Sequence, residues 1–222
     1  MKPKKSRPNT PPLPPHTDWR TTDADELAKR RLRAREEKFR ITNLDPTHPV
    51  FSNFEVCSQS GMTYAVEIRD VATSQYSCTC TDFRINGLGT CKHAEAVLLQ
   101  LARRQRAEFK AAQRVPSPRA DIVPDPAAGR LRVERNLAKL TARFRGCFDD
   151  DGLQHGEFEA QGLVDEILAS NIRSVRISQD VRPWLEASFR ERDRTLSRRD
   201  YEAGVASGIH PEHVTNSPLF PY

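Results

Sequence analysis

The chain has 222 residues, of which 37% are hydrophobic and 29% are charged, and its formal net charge is +5. With 16 prolines and a mean hydropathy of −0.67, it is lean for one large core, so part of it is expected to be tail and linker. No apolar run approaches the roughly 20 residues of a membrane span, and no apolar stretch follows the basic N-terminus as in a secretory signal. Five cysteines without an export signal indicate a reducing compartment, so we expect a cytoplasmic protein of a bacterium or one of a nucleus-like compartment.

Charge is distributed unevenly along the chain. Residues 1–40 contain twelve Lys and Arg against six Asp and Glu, and residues 101–145 contain twelve against four. Residues 41–100 contain three against six, and residues 146–222 contain eight against fourteen. Two basic blocks therefore flank the acidic segment that holds most of the cysteines. Such blocks suit contact with a phosphate backbone, although an ordinary solvated surface gives the same pattern.

The first 48 residues are predicted to form an arm and one charged helix. Residues 1–20 are predicted to be a disordered basic arm, because proline removes amide donors and disfavours helix in the residues before it. Within the lead-in at 21–48, a helix is predicted from Thr22 to about Arg40. Its acidic residues precede its basic ones, which is the order that the helix dipole favours.

A small module of β-hairpin and helix is predicted over residues 49–114. Two apolar runs flank Ser60-Gly61, a common hairpin turn, and the second run alternates with the period of a half-buried strand. The helix that begins after Cys91 is the clearest in the chain, with an apolar face opposite a basic face, and it is expected to end before Pro116. The predicted elements are strands at 54–59, 62–68 and 75–80, a loop at 81–90 and this helix.

The rest of the chain is predicted to be a linker and a second small region. Residues 115–129 are rich in proline, as linkers are. Residues 130–222 mix strand and helix patterns, which is typical of a small α/β or α+β piece, and the whole chain is therefore predicted to be α+β. The predicted elements of the second region are strands at 131–133 and 174–178, helices at 136–144 and 163–169, a turn at 149–152, and a helix from Pro183 to about Ala206.

The most specific signal in the sequence is Cys78-Thr-Cys80, ten residues, then Cys91-Lys-His93. Structural zinc takes four Cys or His ligands in a tetrahedron with no open position. Side chains two apart on a strand share a face, so Cys78 and Cys80 can present two thiolates together. Cys91 and His93 can converge on them only at the start of a helix, because residues two apart within a helix diverge by about 200°. These four residues are predicted to hold one structural Zn²⁺.

Other interpretations of the cysteines are weaker. A redox pair normally has Cys-x-x-Cys spacing. A catalytic zinc keeps an open position near a carboxylate base, and although Asp82 and Glu95 are available, four complete ligands leave no open position. Cys57 and Cys147 have no ligand partners nearby in the sequence and are predicted to be small buried apolar residues.

The ligand pattern, following a β-hairpin and preceding an amphipathic helix, resembles the SWIM zinc finger, and all four ligand types match over about residues 50–105. This resemblance implies a zinc-binding module associated with DNA binding and protein–protein contacts. The flanks are similar to the N-terminal accessory region of bacterial SWI/SNF-type helicases, in which a Pro-Leu-x-Pro-Tyr segment lies just ahead of the ATPase lobes. The segments that carry this second resemblance are 39–51, 60–70, 86–93 and 217–222.

No catalytic constellation is visible in the sequence. A helicase motor needs a phosphate loop ending in Gly-Lys and an acidic Mg²⁺ motif, and the chain contains no Gly-Lys pair. Asp165-Glu166 is interpreted as a solvated helix edge, and His210 and His213 as part of an exposed loop. The Asp-rich turn at 149–152 lacks the later ligands of a calcium loop. We therefore expect no enzyme and no small-molecule substrate.

Three hypotheses about function follow. In the first, the module binds nucleic acid, DNA above all, through the basic face of its helix. In the second, it is a protein-interaction adaptor without nucleic-acid contact, docking on a partner such as a SWI/SNF-type motor, which the acidic C-terminal part suits better. In the third, the chain is a truncated piece of a helicase whose motor is encoded elsewhere or lost. The candidate nucleic-acid-binding residues are Arg103, Arg104, Arg106, Lys110 and Arg114.

Overall fold

The computed structural model describes residues 22–206 and divides the chain into two compact units, residues 1–117 and 118–222. Each unit combines a small sheet with helices, which confirms the predicted α+β class. The arm at 1–20, the histidines at 210 and 213 and the segment at 217–222 lie outside the described residues. Among the helices within residues 22–206, none is both long and apolar enough to cross a membrane.

The first unit contains one antiparallel sheet in the strand order β1-β2-β3-β4. Helix α1 precedes the sheet, and three helices follow it. The strands are β1 (Arg40–Asn43), β2 (Asn53–Cys57), β3 (Thr63–Asp70) and β4 (Gln75–Cys78), and the helices are α1 (Asp23–Glu36), α2 (Thr81–Asn86), α3 (Lys92–Arg104) and α4 (Arg106–Ala112).

The predicted hairpin is present, with Cys57 opposite Thr63 across the β2–β3 pair. Gly61 takes the left-handed conformation that the turn requires, with a φ of 81°. Strand β1 was not predicted, and it extends the sheet by pairing with β2. The lead-in at 21–48 thus folds with the zinc-motif segment in a single unit, because α1 packs against α3 and β1 joins the sheet.

The core of the first unit lies between one face of the sheet and helix α3. Val56 and Val66 point inward from the sheet, and Val97 and Leu101 meet them from the helix. All four are buried, which follows from the period-2 pattern of the strands and the three-four spacing on the helix.

The first helix ends at Glu36 and not near Arg40 as predicted, because Arg40 begins β1. Two further elements of the first unit also differ from the sequence prediction. The segment 81–90 is not wholly a loop, because α2 occupies its first six residues and ends at Gly87 with a φ of 67°. The helix after Cys91 does not run unbroken towards Pro116. It breaks at Gln105, whose ψ of 47° is not helical, and α4 then continues so that Ala112 becomes buried in the same core.

The second unit contains a three-stranded sheet in the order β6-β5-β7, with β5 antiparallel to β6 and parallel to β7. Its core lies beneath α6 and the start of α7, where Leu163, Ile167 and Val181 pack on Ile122 and Leu131. The elements are β5 (Ala120–Asp125), β6 (Arg130–Val133), a 3₁₀ turn (Leu137–Lys139), α5 (Ala142–Arg145), α6 (Ala160–Ala169), β7 (Val175–Ile177) and α7 (Val181–Ala206).

Strand β5 lies within residues 115–129, where the sequence predicted a linker. The backbone groups of Ala120 and Ile122 hydrogen-bond towards β7, to Ser174 and Ser178. The backbone nitrogen of Pro124 faces the same side, because alternate residues of a strand direct their backbone groups to the same neighbour. Pairing with β7 ends at Ile122, so the missing N–H of Pro124 interrupts no ladder bond. The prediction of a linker over this whole segment was therefore wrong at its centre.

The helix predicted at 136–144 is divided in two. Leu140 has an extended conformation with a ψ of 145° and only 2% exposure, and it separates the 3₁₀ turn from α5. An unbroken helix is thus replaced by a bend that inserts Leu140 into the core. The other strands and helices predicted for this unit are present within one to three residues of their expected bounds.

Candidate metal centre

The four predicted ligands lie where β4 passes into α2 and where α3 begins. Cys78 is the last residue of β4, and Cys80 is the N-cap of α2. Cys91 is the N-cap of α3, and His93 lies in the first turn of that helix. The sequence argument required Cys91 and His93 to be at a helix start, and the structure confirms that position.

The ligand atoms of Cys78, Cys80, Cys91 and His93 all lie within 4.8 Å of one another. His93 Nδ1 is 3.9 Å from the sulfur of Cys78 and 3.9 Å from that of Cys91. All four residues are buried, with at most 4% exposure. In a tetrahedral zinc site with Zn–S bonds of about 2.3 Å, two sulfurs are roughly 3.8 Å apart. The four side chains are thus positioned to bind a metal ion, and a small contraction would complete a tetrahedron.

Two of the sulfurs accept hydrogen bonds from helix N-termini. The backbone N–H of Phe83 donates to Cys80 Sγ over 3.3 Å, and that of Ala94 donates to Cys91 Sγ over 3.5 Å. These amides belong to the first turns of α2 and α3, where the helix dipole also favours negative charge. Each of these hydrogen bonds, taken by itself, favours the thiolate form of the sulfur that accepts it.

Residues 64–102 match the sequence model of the SWIM zinc finger family. The matched segment begins in β3, contains all four ligands and ends in α3. Neither the curated proteins nor the solved structures contain a significant match to the chain. The segment that matches the SWIM zinc finger thus covers the part of the first unit that carries the ligands, and α1, β1, β2 and α4 lie outside it.

The three thiols among the four predicted ligands hydrogen-bond to one another, and these hydrogen bonds shift their pKa values in different directions. Hydrogen bonds from the Cys78 and Cys91 thiols hold the pKa of Cys80 far below its ordinary value. Hydrogen bonding to Cys80 and Cys91, together with burial, raises the pKa of Cys78 far above its ordinary value. For Cys91 the hydrogen bond with Cys78 lowers the pKa, but hydrogen bonding to Cys80 and burial raise it, and its pKa is about 12. Cys80 is therefore the most acidic of the three thiols.

Aromatic rings hold the imidazole of His93. Tyr64 from β3 stacks on it, and the edge of Phe39 meets it with 5.6 Å between ring centroids. His93 Nε2 is buried and has no hydrogen-bond partner among the described residues. The sequence analysis did not identify either aromatic residue as part of the site, since both are distant from the ligands in the chain.

Helix α1 supplies charged partners to the segments that carry the ligands. Arg30 pairs with Asp82 through two hydrogen bonds of 2.7 and 3.2 Å, and Arg31 lies 3.4 Å from a carboxylate oxygen of Glu95. The two carboxylates that the sequence analysis considered as catalytic bases are thus engaged in ion pairs with α1.

The remaining predicted residues lie away from the metal centre. Cys57 is half-buried on β2, and Cys147 is buried in the second unit, where desolvation raises its pKa. Asp165 and Glu166 are exposed on α6, as expected of a solvated helix edge. The candidate nucleic-acid-binding residues are all exposed, on α3, α4 and the turn that follows: Arg103, Arg104, Arg106, Lys110 and Arg114.

The second unit has an open cleft of about 920 Å³ between the loop before α6 and the long helix α7. His155 and Trp184 line it, together with the exposed Arg130. Among the described residues, the cleft contains no group of three or more side chains positioned to bind a metal ion together.

Proposed function

We propose that the first unit is a SWIM-type zinc finger that holds one structural Zn²⁺ and binds the phosphate backbone of nucleic acid, DNA above all. The observation that carries the metal assignment is the buried cluster of three sulfurs and one imidazole nitrogen, with all ligand atoms within 4.8 Å. Thiolate and imidazole donors in a tetrahedral arrangement favour Zn²⁺ over the hard cations, which prefer oxygen.

The donor set supports a structural role for the metal. Four protein ligands complete the tetrahedron, so no position is left for the activated water that a catalytic zinc needs. When bound, the ion supplies a cross-link between the end of β4 and the starts of α2 and α3. The chain's part is to present Cys80 and Cys91 as helix caps and to keep water away from the cluster. We therefore propose a recognition module and no catalytic activity.

The nucleic-acid assignment rests on the basic face of α3 and α4. Its five cations are exposed, and none of their charged side-chain groups makes an ion pair or hydrogen bond with another described residue. Cations that are not engaged within the chain can each displace a counterion from a phosphate, which is the main source of sequence-independent affinity. The face is defined by Arg103, Arg104, Arg106, Lys110 and Arg114.

The metal assignment is tested by elemental analysis of the full chain purified without chelators. One zinc per chain is expected, and no zinc would refute the assignment. Replacement of Cys57 by Ser serves as the matched control, because this thiol lies outside the cluster and its loss leaves the zinc content unchanged.

The nucleic-acid assignment is tested by the salt dependence of binding to a short DNA duplex. Each phosphate contact contributes about 0.9 to the magnitude of the negative slope of log K against log salt. Replacing the five cations by Gln is therefore expected to reduce this magnitude by about 4.5. The matched control replaces five exposed arginines of α7 by Gln and leaves the slope unchanged. Equal slopes in both variants, or no binding at low salt, would refute the proposal. The control residues are Arg182, Arg190, Arg194, Arg198 and Arg199.

One observation favours a protein partner as a second candidate function. Ile85 on α2 is 77% exposed, and none of the residues of that helix is buried. An exposed aliphatic side chain on α2, the helix that Cys80 caps, suits an adaptor that docks on another protein, such as a SWI/SNF-type motor. Under this alternative, Ile85→Asp would abolish capture of a purified motor and leave DNA binding unchanged.

A further inference from the structure

Helix α1 lies outside the segment that matches the SWIM family, yet its arginines contact the chain on both sides of the metal loop, which we define as residues 81–90. Arg30 contacts Asp82 at the start of the loop, and Arg31 contacts Glu95 in the first turn of α3, just after the loop. We infer that α1 is a clamp on this loop and that Arg30 and Arg31 set how tightly the first unit holds its metal. This inference rests on the proposed zinc site. It makes both arginines positioning residues, since neither contacts the four ligands.

The first contact of the clamp is a two-point ion pair at the start of the loop. Arg30 Nη2 donates to Asp82 Oδ1 over 2.7 Å, and Arg30 Nε donates to Asp82 Oδ2 over 3.2 Å. The Arg30 side chain is 12% exposed and that of Asp82 is 42% exposed, so solvent screens the pair in part, and its strength comes from the two-point geometry. Asp82 lies two residues after Cys80 in the first turn of α2, so the ion pair fixes the helix that Cys80 caps.

Hydrogen bonds carry this restraint across the loop to Cys91. Asn86 Nδ2 donates to Asp82 Oδ1 over 3.3 Å and to the carbonyl oxygen of Thr90 over 2.9 Å. Thr90 directly precedes Cys91 in the chain. A continuous path of side-chain hydrogen bonds therefore runs from α1 to the residue before the third ligand.

A second contact reaches the start of α3. Thr90 Oγ1 donates to Glu95 Oε1 over 3.1 Å, and Arg31 Nε lies 3.4 Å from Glu95 Oε2. This pair is the weaker of the two contacts, because it is a single contact of 3.4 Å, whereas Arg30 makes two hydrogen bonds to Asp82. Two consecutive arginines thus restrain the loop at both ends, one beside Cys80 and the other beside Cys91.

Docking of α1 and metal binding should favour each other. If docked α1 orders the ligands, the ordering cost that metal binding would otherwise incur is reduced, and metal binding must in turn favour docking of α1. Partners that orient metal ligands are typically worth about 10- to 100-fold in metal affinity. The decrease in zinc affinity on losing the Arg30 contact is expected to be at the lower end of this range, because the contact between Arg31 and Glu95 remains.

The experiment compares zinc affinity of the full chain and its variants by competition with a chromophoric chelator. Arg30→Ala is expected to raise the zinc Kd about tenfold and to speed zinc transfer to the chelator. Arg35→Ala is the matched control, because this arginine is exposed on the same helix and has no ion pair among the described residues. Asp82→Ala should match Arg30→Ala, and the double variant should be no weaker than the worse single variant.

The outcomes separate this inference from the proposed function. If the wild-type chain binds no zinc, the proposed zinc site itself is refuted. If it binds zinc but Arg30→Ala has the same Kd as Arg35→Ala, or the two single effects add fully, the clamp alone is refuted. If Arg30→Ala fails to fold with saturating zinc, Arg30→Lys decides. This change keeps the charge but loses the two-point geometry, so a zinc Kd equal to that of wild type would overturn the inference.

Discussion

Tyr64 lies against the imidazole of His93, with 4.1 Å between ring centroids and an angle of 24° between the ring planes. Metal-binding histidines are usually oriented by a hydrogen bond at their second ring nitrogen. In this chain the second nitrogen of His93 is buried without such a bond to any described residue. The orientation of the ligand therefore depends on stacking with Tyr64 and on the edge contact with Phe39.

Removing the ring of Tyr64 should weaken the metal site. Tyr64→Ala is expected to raise the zinc Kd about tenfold and to lower the free energy of unfolding by about 2 kcal/mol, because the imidazole loses its stacking partner and a half-buried cavity opens. Tyr64→Phe is the control, since the hydroxyl makes no hydrogen bond to a described residue. Chelator competition and urea unfolding measure the two quantities. A Tyr64→Phe variant as weak as Tyr64→Ala would contradict the stacking argument.

Chelation of the metal should unfold the first unit and leave the second unit folded. The two units have separate hydrophobic cores, and the four ligands belong only to the first. Small zinc-stapled folds depend on the metal for their stability. Amide hydrogen exchange with and without a strong chelator is expected to show loss of protection in β2, β3 and α3, and unchanged protection in α6. Cys91→Ser should reproduce the chelated pattern without chelator, whereas retained protection in α3 would contradict the prediction.

Zinc affinity should rise steeply with pH. In the folded chain the pKa values of Cys78 and Cys91 are raised, the latter to about 12, and a thiol in an unfolded chain has a pKa of about 8.5. Both residues are therefore protonated near neutrality before the metal binds, whether the first unit is folded or unfolded. Each must lose its proton when the metal binds, and each released proton changes the affinity about tenfold per pH unit. Two protons correspond to an increase of about 100-fold per pH unit, and to loss of the metal as the pH falls. Calorimetry in buffers of different ionisation enthalpy measures the released protons, and fewer than one would contradict this assignment.

The ligands could be predicted from the sequence because their spacing is local, whereas the residues around them could not. Arg30 and Asp82 are 52 positions apart, and their contact depends on how α1 packs on the sheet and α3. Strand β1 is only four residues long and lacks a strong alternating pattern, so its pairing with β2 shows only in the fold. In the second unit, the prolines around β5 suggested a linker, because the sequence does not show that pairing with β7 ends before Pro124.

Gly152 cannot be replaced without strain in the second unit. Its φ is +79°, and a Cβ at this position would lie 2.5 Å from the carbonyl oxygen of Val133 in β6. The carbonyl oxygen of Gly152 also accepts a hydrogen bond from the Val133 N–H over 2.7 Å, so the close approach of the two backbones is part of the fold. Gly152→Ala is expected to lower the free energy of unfolding by about 3 kcal/mol, from left-handed strain plus the steric clash.

Gly129 provides the matched control for this substitution. Its φ is +65°, but a Cβ there would meet nothing within 4 Å, so Gly129→Ala should cost only the conformational strain of about 1 kcal/mol. Urea unfolding of both variants, followed through the fluorescence of Trp184 packed on the core of this unit, measures the difference. Equal losses in the two variants would mean that the Val133 backbone moves away at little cost. A larger loss at Gly152 would show that this contact is rigid.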